Sequence, residues 1–588
     1  MSLAHLPQRF RLPLAWRWVG DWVWRLEHAF ERARAAGRPQ DDARIRIFIV
    51  TVVFGLAFLV LVIGAAHSAM AGPGKRVGAL ANPEARGDLV DRNGALLAVD
   101  LLHWDLYVDP TVVWDTAATR SALVRALPGI PARRIDKVLA GDKQAFLAGG
   151  LTPAEKDALH DLGLPGLVFA EKERRSYPLG QSAAHLIGFS DTGGQGVAGA
   201  ERALGEPLHA AAGGGQVPLA IDMRVQGVLE DELGKAVAEF NPRGAVGIVT
   251  DVHSGEILGL ANWPDFDPNR PGASPPDYQK NLAAAAVYEM GSTFKAFTVA
   301  IGLDTGVATP QSTFDARTPF KLGYRTIHDY HAAKAILTLV QVFQHSSNIG
   351  TAKLAESIGP QRLERYFSGM GLTKRAKVDL IESAQPLTPK KWDDDAVAST
   401  SFGHGMNVTP LALTAAYGSL LNGGIAVPLT IKKLPPGARP QGQRVFSEAT
   451  SAEMLKIMRA NVADPIGSGG SANAPGLSVG GKTGTGEKWD PEIRAYSKTK
   501  QVSSFAATFP TEGTPADKRY FVLILLDEPH PSARSYGYST GGWVAAPAAG
   551  RVINRIAPYL GVQRHYAPTV AEAPTVVAAG PPVAGDGM

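Results

Sequence analysis

Gly291-Ser292-Thr293-Phe294-Lys295-Ala296-Phe297-Thr298-Val299-Ala300-Ile301 opens a stretch that runs to Asp304 with no proline and no internal glycine before Gly302. Phe294, Phe297, Thr298 and Ile301 fall at helical spacing and make a buried stripe. The stretch therefore predicts a helix with Ser292 in its first turn, where unpaired backbone N–H groups and the helix dipole favour developing negative charge. Ser292 and Lys295 stand at i and i+3, so an amine lies within reach of a hydroxyl that needs a neighbouring base to act as a nucleophile. A lysine serves as that base only where burial or a second cation discourages its ammonium, because its ordinary pKa is about 10.4.

Two later strings supply the remaining parts. Lys482 of Lys482-Thr483-Gly484-Thr485 is a candidate second cation. In Ser346-Ser347-Asn348, the Ser346 hydroxyl can relay a proton, and the Asn348 amide can hold both Lys295 and a substrate carbonyl. The Lys-Thr-Gly-Thr string follows Leu477-Ser478-Val479 and predicts a strand, with Gly484 permitting close approach of a ligand and an extended substrate lying alongside as an added strand. Each motif alone is common. Ser497-Lys498-Thr499-Lys500 repeats the first and Ser471-Ala472-Asn473 the second, both in polar, turn-like sequence and in the wrong order.

The ordered set is the established signature of penicillin-binding proteins and class A β-lactamases, recognised as such rather than deduced. The chain resembles a class B penicillin-binding protein, and further boxes carry the resemblance. These are Arg86-Gly87-Asp88-Leu89-Val90-Asp91-Arg92-Asn93-Gly94, Arg175-Ser176-Tyr177-Pro178-Leu179-Gly180 with His185 and Gly188, Phe266-Asp267-Pro268-Asn269, and Ser401-Phe402-Gly403-His404-Gly405. The resemblance covers roughly residues 80 to 560. It implies a D,D-transpeptidase that attacks the D-Ala-D-Ala end of a peptidoglycan stem peptide, releases D-alanine, passes the acyl group to a neighbouring amine, and is trapped by β-lactams. It also implies the roles: Ser292 as nucleophile, Lys295 as base, Ser346, Asn348 and Lys482 as catalytic partners, Thr483, Gly484 and Thr485 as the substrate-binding strand, and the N–H groups of Ser292 and Thr485 as oxyanion hole. Two positions depart from related patterns: Ser347 stands where the β-lactamase form has aspartate, and Met290 replaces a proline often found before the Gly-Ser step.

At 588 residues, with 45% hydrophobic and 19% charged, the chain is folded and too long for one core. A formal charge of +4, with no basic stripe carrying interleaved aromatics in the soluble part, argues against a nucleic-acid partner. The absence of cysteine excludes disulfides and thiolate metal sites. His328 and His331 lack a third ligand nearby in sequence and read as a loop feature, and His404 reads as structural at the cleft border, so no metal or cofactor is expected.

Ile47 to Ala66 is an uncharged apolar run of about the length that crosses a bilayer. Arg32, Arg34, Arg38, Arg44 and Arg46 precede it, which predicts a single-pass anchor with a cytoplasmic amino terminus and the remainder outside; the resemblance implies that the membrane is the inner one and the outer compartment the periplasm. Leu12, Trp16, Val19, Val23, Leu26, Phe30 and Ala33 make an amphipathic stripe ahead of the anchor.

Five parts are expected: a cytoplasmic tail (1–46), the anchor (47–66), an elongated α+β pedestal of the dimerisation type (75–225), a transpeptidase domain (226–562) and a disordered Ala/Pro/Val-rich tail (563–588). In the pedestal, residues 87 to 99 predict a hairpin turning at Asn93-Gly94, with a separate strand at Trp104 to Val108. Apolar runs at 245–252, 256–261, 502–509 and 520–526 join the Lys482 strand in an antiparallel sheet of about five strands covered by helices, an α/β (α+β) class. The compact pedestal and Ser503-Ser504-Phe505 favour the division-specific branch of the family. That branch implies a septal location and, as partners, a SEDS-type membrane glycosyltransferase and other divisome proteins. The alternatives are the elongation-specific branch, a carboxypeptidase or β-lactamase-type hydrolase, and an inactive scaffold or β-lactam sensor.

Overall fold

A computed structural model describes residues 85–566 except 331 and 491, together with residues 24, 25, 28, 29, 31, 32, 35, 47 and 50–62. The chain divides into two units, residues 1–83 and 84–588. In the first, residues 50–62 are helical, with Phe54, Phe58, Val60 and Leu61 exposed. Among the described residues no helix is long and apolar enough to cross a membrane. Residues 48, 49 and 63–66 of the expected anchor, and the stripe from Leu12 to Ala33, lie outside the described residues.

The second unit is built around a five-stranded sheet in the order Gly480–Asp490, Ala495–Phe509, Tyr520–Asp527, Gly244–Asp251, Ile257–Trp263, antiparallel throughout. The apolar runs form it because strand side chains alternate between faces, and both faces here are covered. Val246, Ile248, Phe521, Leu523 and Leu525 pack on one side with Phe297 and Tyr417, whose ring stacks on Phe521 at 4.9 Å. Ala245, Val249, Val522, Ile524 and Leu526 pack on the other against helices Met223–Phe240 and Ala545–Ile556. Among the described residues the Lys482 strand lies at the edge, with a strand neighbour on one side only.

The amino-terminal half holds a second sheet, of strands Asp88–Val90, Leu96–Val108, Ala145–Leu151, Leu167–Ser176 and Gln216–Pro218. The hairpin forms as expected, but its second arm and the strand expected at 104–108 are one continuous element, Leu96–Val108. Its far end has its own core of Leu106, Val108, Leu123, Ile135, Leu147 and Leu159. Its near end does not: Leu89, Leu97, Leu186 and Leu204 belong to the same apolar cluster as Phe297 and Val246. The division drawn at 225/226 falls inside helix Met223–Phe240. Asp222 caps that helix, accepting from Arg224 N at 3.0 Å, and Asp91 accepts from Met223 N at 3.0 Å while holding its own hairpin turn through Asn93 N and Ala95 N.

The boxes of the amino-terminal half meet around one buried carboxylate. Glu201, fully buried, pairs with Arg86 at 2.9 Å and Arg175 at 2.7 Å, and Arg175 also reaches Asp100 at 3.2 Å. Asn269 ties that half to the catalytic sheet, accepting from Tyr177 N and donating to Tyr177 O, each at 2.9 Å. At the other end of the chain, residues 563–566 depart from the expected disorder: Arg564 donates to Pro475 O at 2.6 Å and His565 N to Gly476 O at 2.8 Å. Residues 567–588 lie outside the described residues.

Removing the charge of Glu201 leaves two buried guanidinium groups without it. Glu201→Gln is expected to destabilise the chain by about 3–5 kcal/mol, read as a lowered Tm of the detergent-solubilised protein by circular dichroism. The exposed neighbour Glu206, changed to Gln, serves as the control with little effect. Equal Tm values for the two variants would contradict this.

Candidate active site

The helix expected from Ser292 to Asp304 begins differently: Gly291–Phe294 is a 3₁₀ turn, and the α-helix runs Lys295–Asp304. Crowding of backbone explains the tighter turn. Gly291 has φ +54, and a Cβ there would overlap Thr485 O, while a Cβ on Gly403 would overlap Gly291 O. Gly291 N donates to Gly403 O at 3.2 Å. The Lys-Thr-Gly-Thr strand and the Ser401–Gly405 box thus close on the nucleophile turn from two sides. Beneath it, Phe294 and Phe297 meet edge to face at 5.5 Å, and Tyr417 Oη donates to Thr293 O at 2.7 Å. Ser292 stays partly exposed above buried Thr293, Phe294 and Lys295.

Lys295 and Lys482 are both fully buried. Lys295 Nζ donates to Ser346 Oγ at 3.1 Å and to Ser346 O, and Lys482 Nζ donates to the same Oγ at 3.0 Å. Two amines therefore converge on one hydroxyl. Burial pushes Lys295 down to about 7, opposed by the charge of Asp329. Lys482 is pushed well below the ordinary lysine range by burial and by the charge of Lys295. The Lys482 amine also lies 5.7 Å from the Phe343 ring centre and bonds Thr483 O and Oγ1 at 3.2 Å.

Ser346 reaches this point because it takes a left-handed backbone, φ +55, in the link between helices Leu339–Gln344 and Asn348–Ile358. Ser347 is the cap of the second helix: its hydroxyl accepts from Gly350 N at 2.9 Å and donates to Asp329 Oδ2 at 2.8 Å. Asn348 departs from its expected contact. Its Nδ2 donates to His328 O at 3.0 Å, and the Lys295 amine bonds Ser346 instead.

A Cβ on Gly484 would meet Ser504 Oγ, Met290 O and Thr293 Cγ2, so the missing side chain lets the strand pack on the nucleophile turn. Thr483 Oγ1 donates to Ser468 Oγ at 3.0 Å, and Thr485 Oγ1 accepts from Gly541 N at 3.2 Å.

Sequence reasoning missed Asp329 and Glu289. Asp329 lies in the loop that was read only for its histidines; His331 is outside the described residues. Glu289 Oε1 accepts from Gly405 N at 3.0 Å and Tyr496 Oη at 2.8 Å, and burial raises its carboxyl above the ordinary range. His404 is pushed down to about 4 by burial and by the charge of Lys295, which keeps its ring neutral near the cleft. The decoys serve local structure: Ser497 Oγ accepts from Lys500 N at 3.0 Å, and Ser471 Oγ donates to Gly542 O at 2.6 Å. Among the described residues no cluster of His, Cys, Asp and Glu could hold a metal ion.

Comparison with known proteins identifies the family. The family model of the penicillin-binding protein transpeptidase domain matches residues 245–554, and that of the penicillin-binding protein dimerisation domain matches residues 81–193. The chain is 67% identical over 570 residues to the probable peptidoglycan D,D-transpeptidase FtsI of Caulobacter vibrioides, covering 96% of this chain and 97% of that one. It is 31% identical to the peptidoglycan D,D-transpeptidase FtsI of Escherichia coli K12, covering 80% and 83%. A crystal structure of penicillin-binding protein 3 from Mycobacterium tuberculosis, complexed with ampicillin, shares the fold with a TM-score of 0.62 at 24% identity, over 82% of this chain and 97% of that one. With both modules matched and the chain nearly covered by a relative of this identity, the protein belongs to the penicillin-binding protein transpeptidase family.

Proposed function

We propose that the chain is a serine D,D-transpeptidase that cross-links peptidoglycan stem peptides during septal cell-wall synthesis. The observation that carries the chemistry is the pair of buried amines on Ser346 Oγ beside the partly exposed Ser292. The stem peptide lies along the free edge of the Lys482 strand, held by Thr483 and Thr485. The neutral form of Lys295 turns from Ser346 to Ser292 and takes the hydroxyl proton as Oγ attacks the penultimate D-alanine carbonyl. The N–H groups of Ser292 and Thr485 stabilise the oxyanion. Collapse of the tetrahedral intermediate breaks the peptide C–N bond, and a proton passing through Ser346 and Lys482 leaves on the amine of D-alanine. The acceptor amine then attacks the ester carbonyl, gives up one proton by the same route, and Ser292 regains its hydroxyl proton. Asn348 orients the peptide in the cleft.

Two intact buried amines argue against an inactive scaffold, because burying unpaired lysine is costly without a use for it. Relatives named as FtsI support the division branch over the elongation branch. On this reading residues 47–66 form a single-pass inner-membrane anchor with the arginine-rich amino terminus in the cytoplasm and the catalytic part in the periplasm. The anchor and pedestal then dock a SEDS-type glycosyltransferase of the division machinery.

Two outcomes test the reading. Incubated with benzylpenicillin, the protein is expected to hold a stable acyl adduct mapped by mass spectrometry to Ser292 and absent from Ser292→Ala; rapid turnover of the drug would point to a hydrolase instead. The acylation rate is expected to rise between pH 6 and pH 8 with a midpoint near 7, because the base form of Lys295 grows as pH passes its lowered value. Lys295→Arg, whose guanidinium stays protonated, is expected to lose about 10²–10⁴-fold and to show no such rise.

A further inference from the structure

We propose that Asp329 is a positioning residue for acyl transfer: its two carboxylate oxygens fix the Ser346–Asn348 link, which presents Ser346 Oγ to the buried amine of Lys295. The inference rests on the transpeptidase reading and assigns a residue outside all the family boxes.

Asp329 holds the link at two points. Oδ2 accepts from Ser347 Oγ at 2.8 Å, and Oδ1 accepts from Ile349 N at 3.0 Å. The adjoining carbonyl of His328 accepts from Asn348 Nδ2 at 3.0 Å. Residues 328 and 329 thus engage Ser347, Asn348 and Ile349 in turn and leave Ser346 directed at the lysines. Ser346 needs that support, because its left-handed backbone is disfavoured for a residue with a side chain. Ser347 stands where the β-lactamase form of the motif has aspartate. Here the carboxylate comes instead from the loop and reaches that position through the Ser347 hydroxyl.

The charge of Asp329 has a second effect. The charged or titratable groups facing Lys295 are Asp329 from the loop, Lys482 from the edge strand and His404 from the Gly403 turn. His404 is neutral and Lys482 is itself pushed well below the ordinary lysine range, so Asp329 is the group that opposes burial at Lys295. Without it, Lys295 would lose its proton at lower pH and become a weaker base.

The test compares acylation of the detergent-solubilised full chain by a fluorescent penicillin from pH 5.5 to 9, with folding followed by thermal melting. Asp329→Ala is expected to slow acylation about ten- to hundred-fold. Asp329→Asn keeps an acceptor and loses the charge, so its rising limb is expected to move to lower pH by about half a unit or more. Asp329→Glu keeps the charge, so its limb stays with the wild type even where its rate falls. Asp329→Ser replaces the Asn variant if the latter does not fold. A limb unmoved in the neutral variant, or moved equally in Asp329→Glu, would overturn the proposal while leaving the transpeptidase reading intact. A wild-type protein that forms no adduct would overturn both.

Discussion

Two buried lysine amines bonded to one serine hydroxyl are the constraint around which the catalytic half is arranged. Among the described residues neither amine has a carboxylate in hydrogen-bond contact; burial works against protonation of both, and the charge of Lys295 works further against that of Lys482. A single lysine one turn from a serine on an open surface would remain an ammonium and could take no proton. The helix, the edge strand and the Ser346 link each contribute one member, and displacing any of them removes the condition that makes Lys295 a base.

Backbone proximity is what brings those members together. Gly291, Thr485 and Gly403 approach so closely that a side chain at either glycine would strike main-chain atoms, and Gly484 gives the nucleophile turn the same access to the strand. The turn is therefore gripped between two segments far away in sequence, with Tyr417 tied to its underside. Because the Lys482 strand pairs on one side only among the described residues, the same element holds Lys482 buried and leaves an unpaired edge, along which the proposed substrate lies. The amino-terminal half is joined to this frame by shared core and by Asp91 and Asn269, rather than by a flexible linker.

The parts of this arrangement that were legible in the sequence are the local ones. Ser292 and Lys295 are one turn apart, the strands announce themselves as apolar runs, and the order of the strings gave the site. Contacts across long separations were not legible. Asp329 meets Ser347 only because a loop folds back on a helix cap, and its carboxylate was overlooked between two histidines. The packing of Gly484 against Ser504 and Met290 is not legible either, because the fold brings those neighbours there. Strand Leu96–Val108 was split in two because Leu101 and Leu102 are adjacent and both exposed, which breaks the alternation a half-buried strand displays. The boundary drawn at 225/226 lies within a helix that packs on the catalytic sheet while its first turn is held by Asp91, a contact across long separation that the sequence does not display.

The central claim concerns the protonation of two amines, and nuclear magnetic resonance reads it directly. In protein labelled with ¹³Cε-lysine, with Lys295→Arg and Lys482→Arg used to assign the signals, the account predicts a Lys295 resonance that titrates near pH 7. It also predicts a Lys482 resonance that is already neutral well below the ordinary lysine range. Both signals titrating together at about 10.4, as free lysine does, would contradict it.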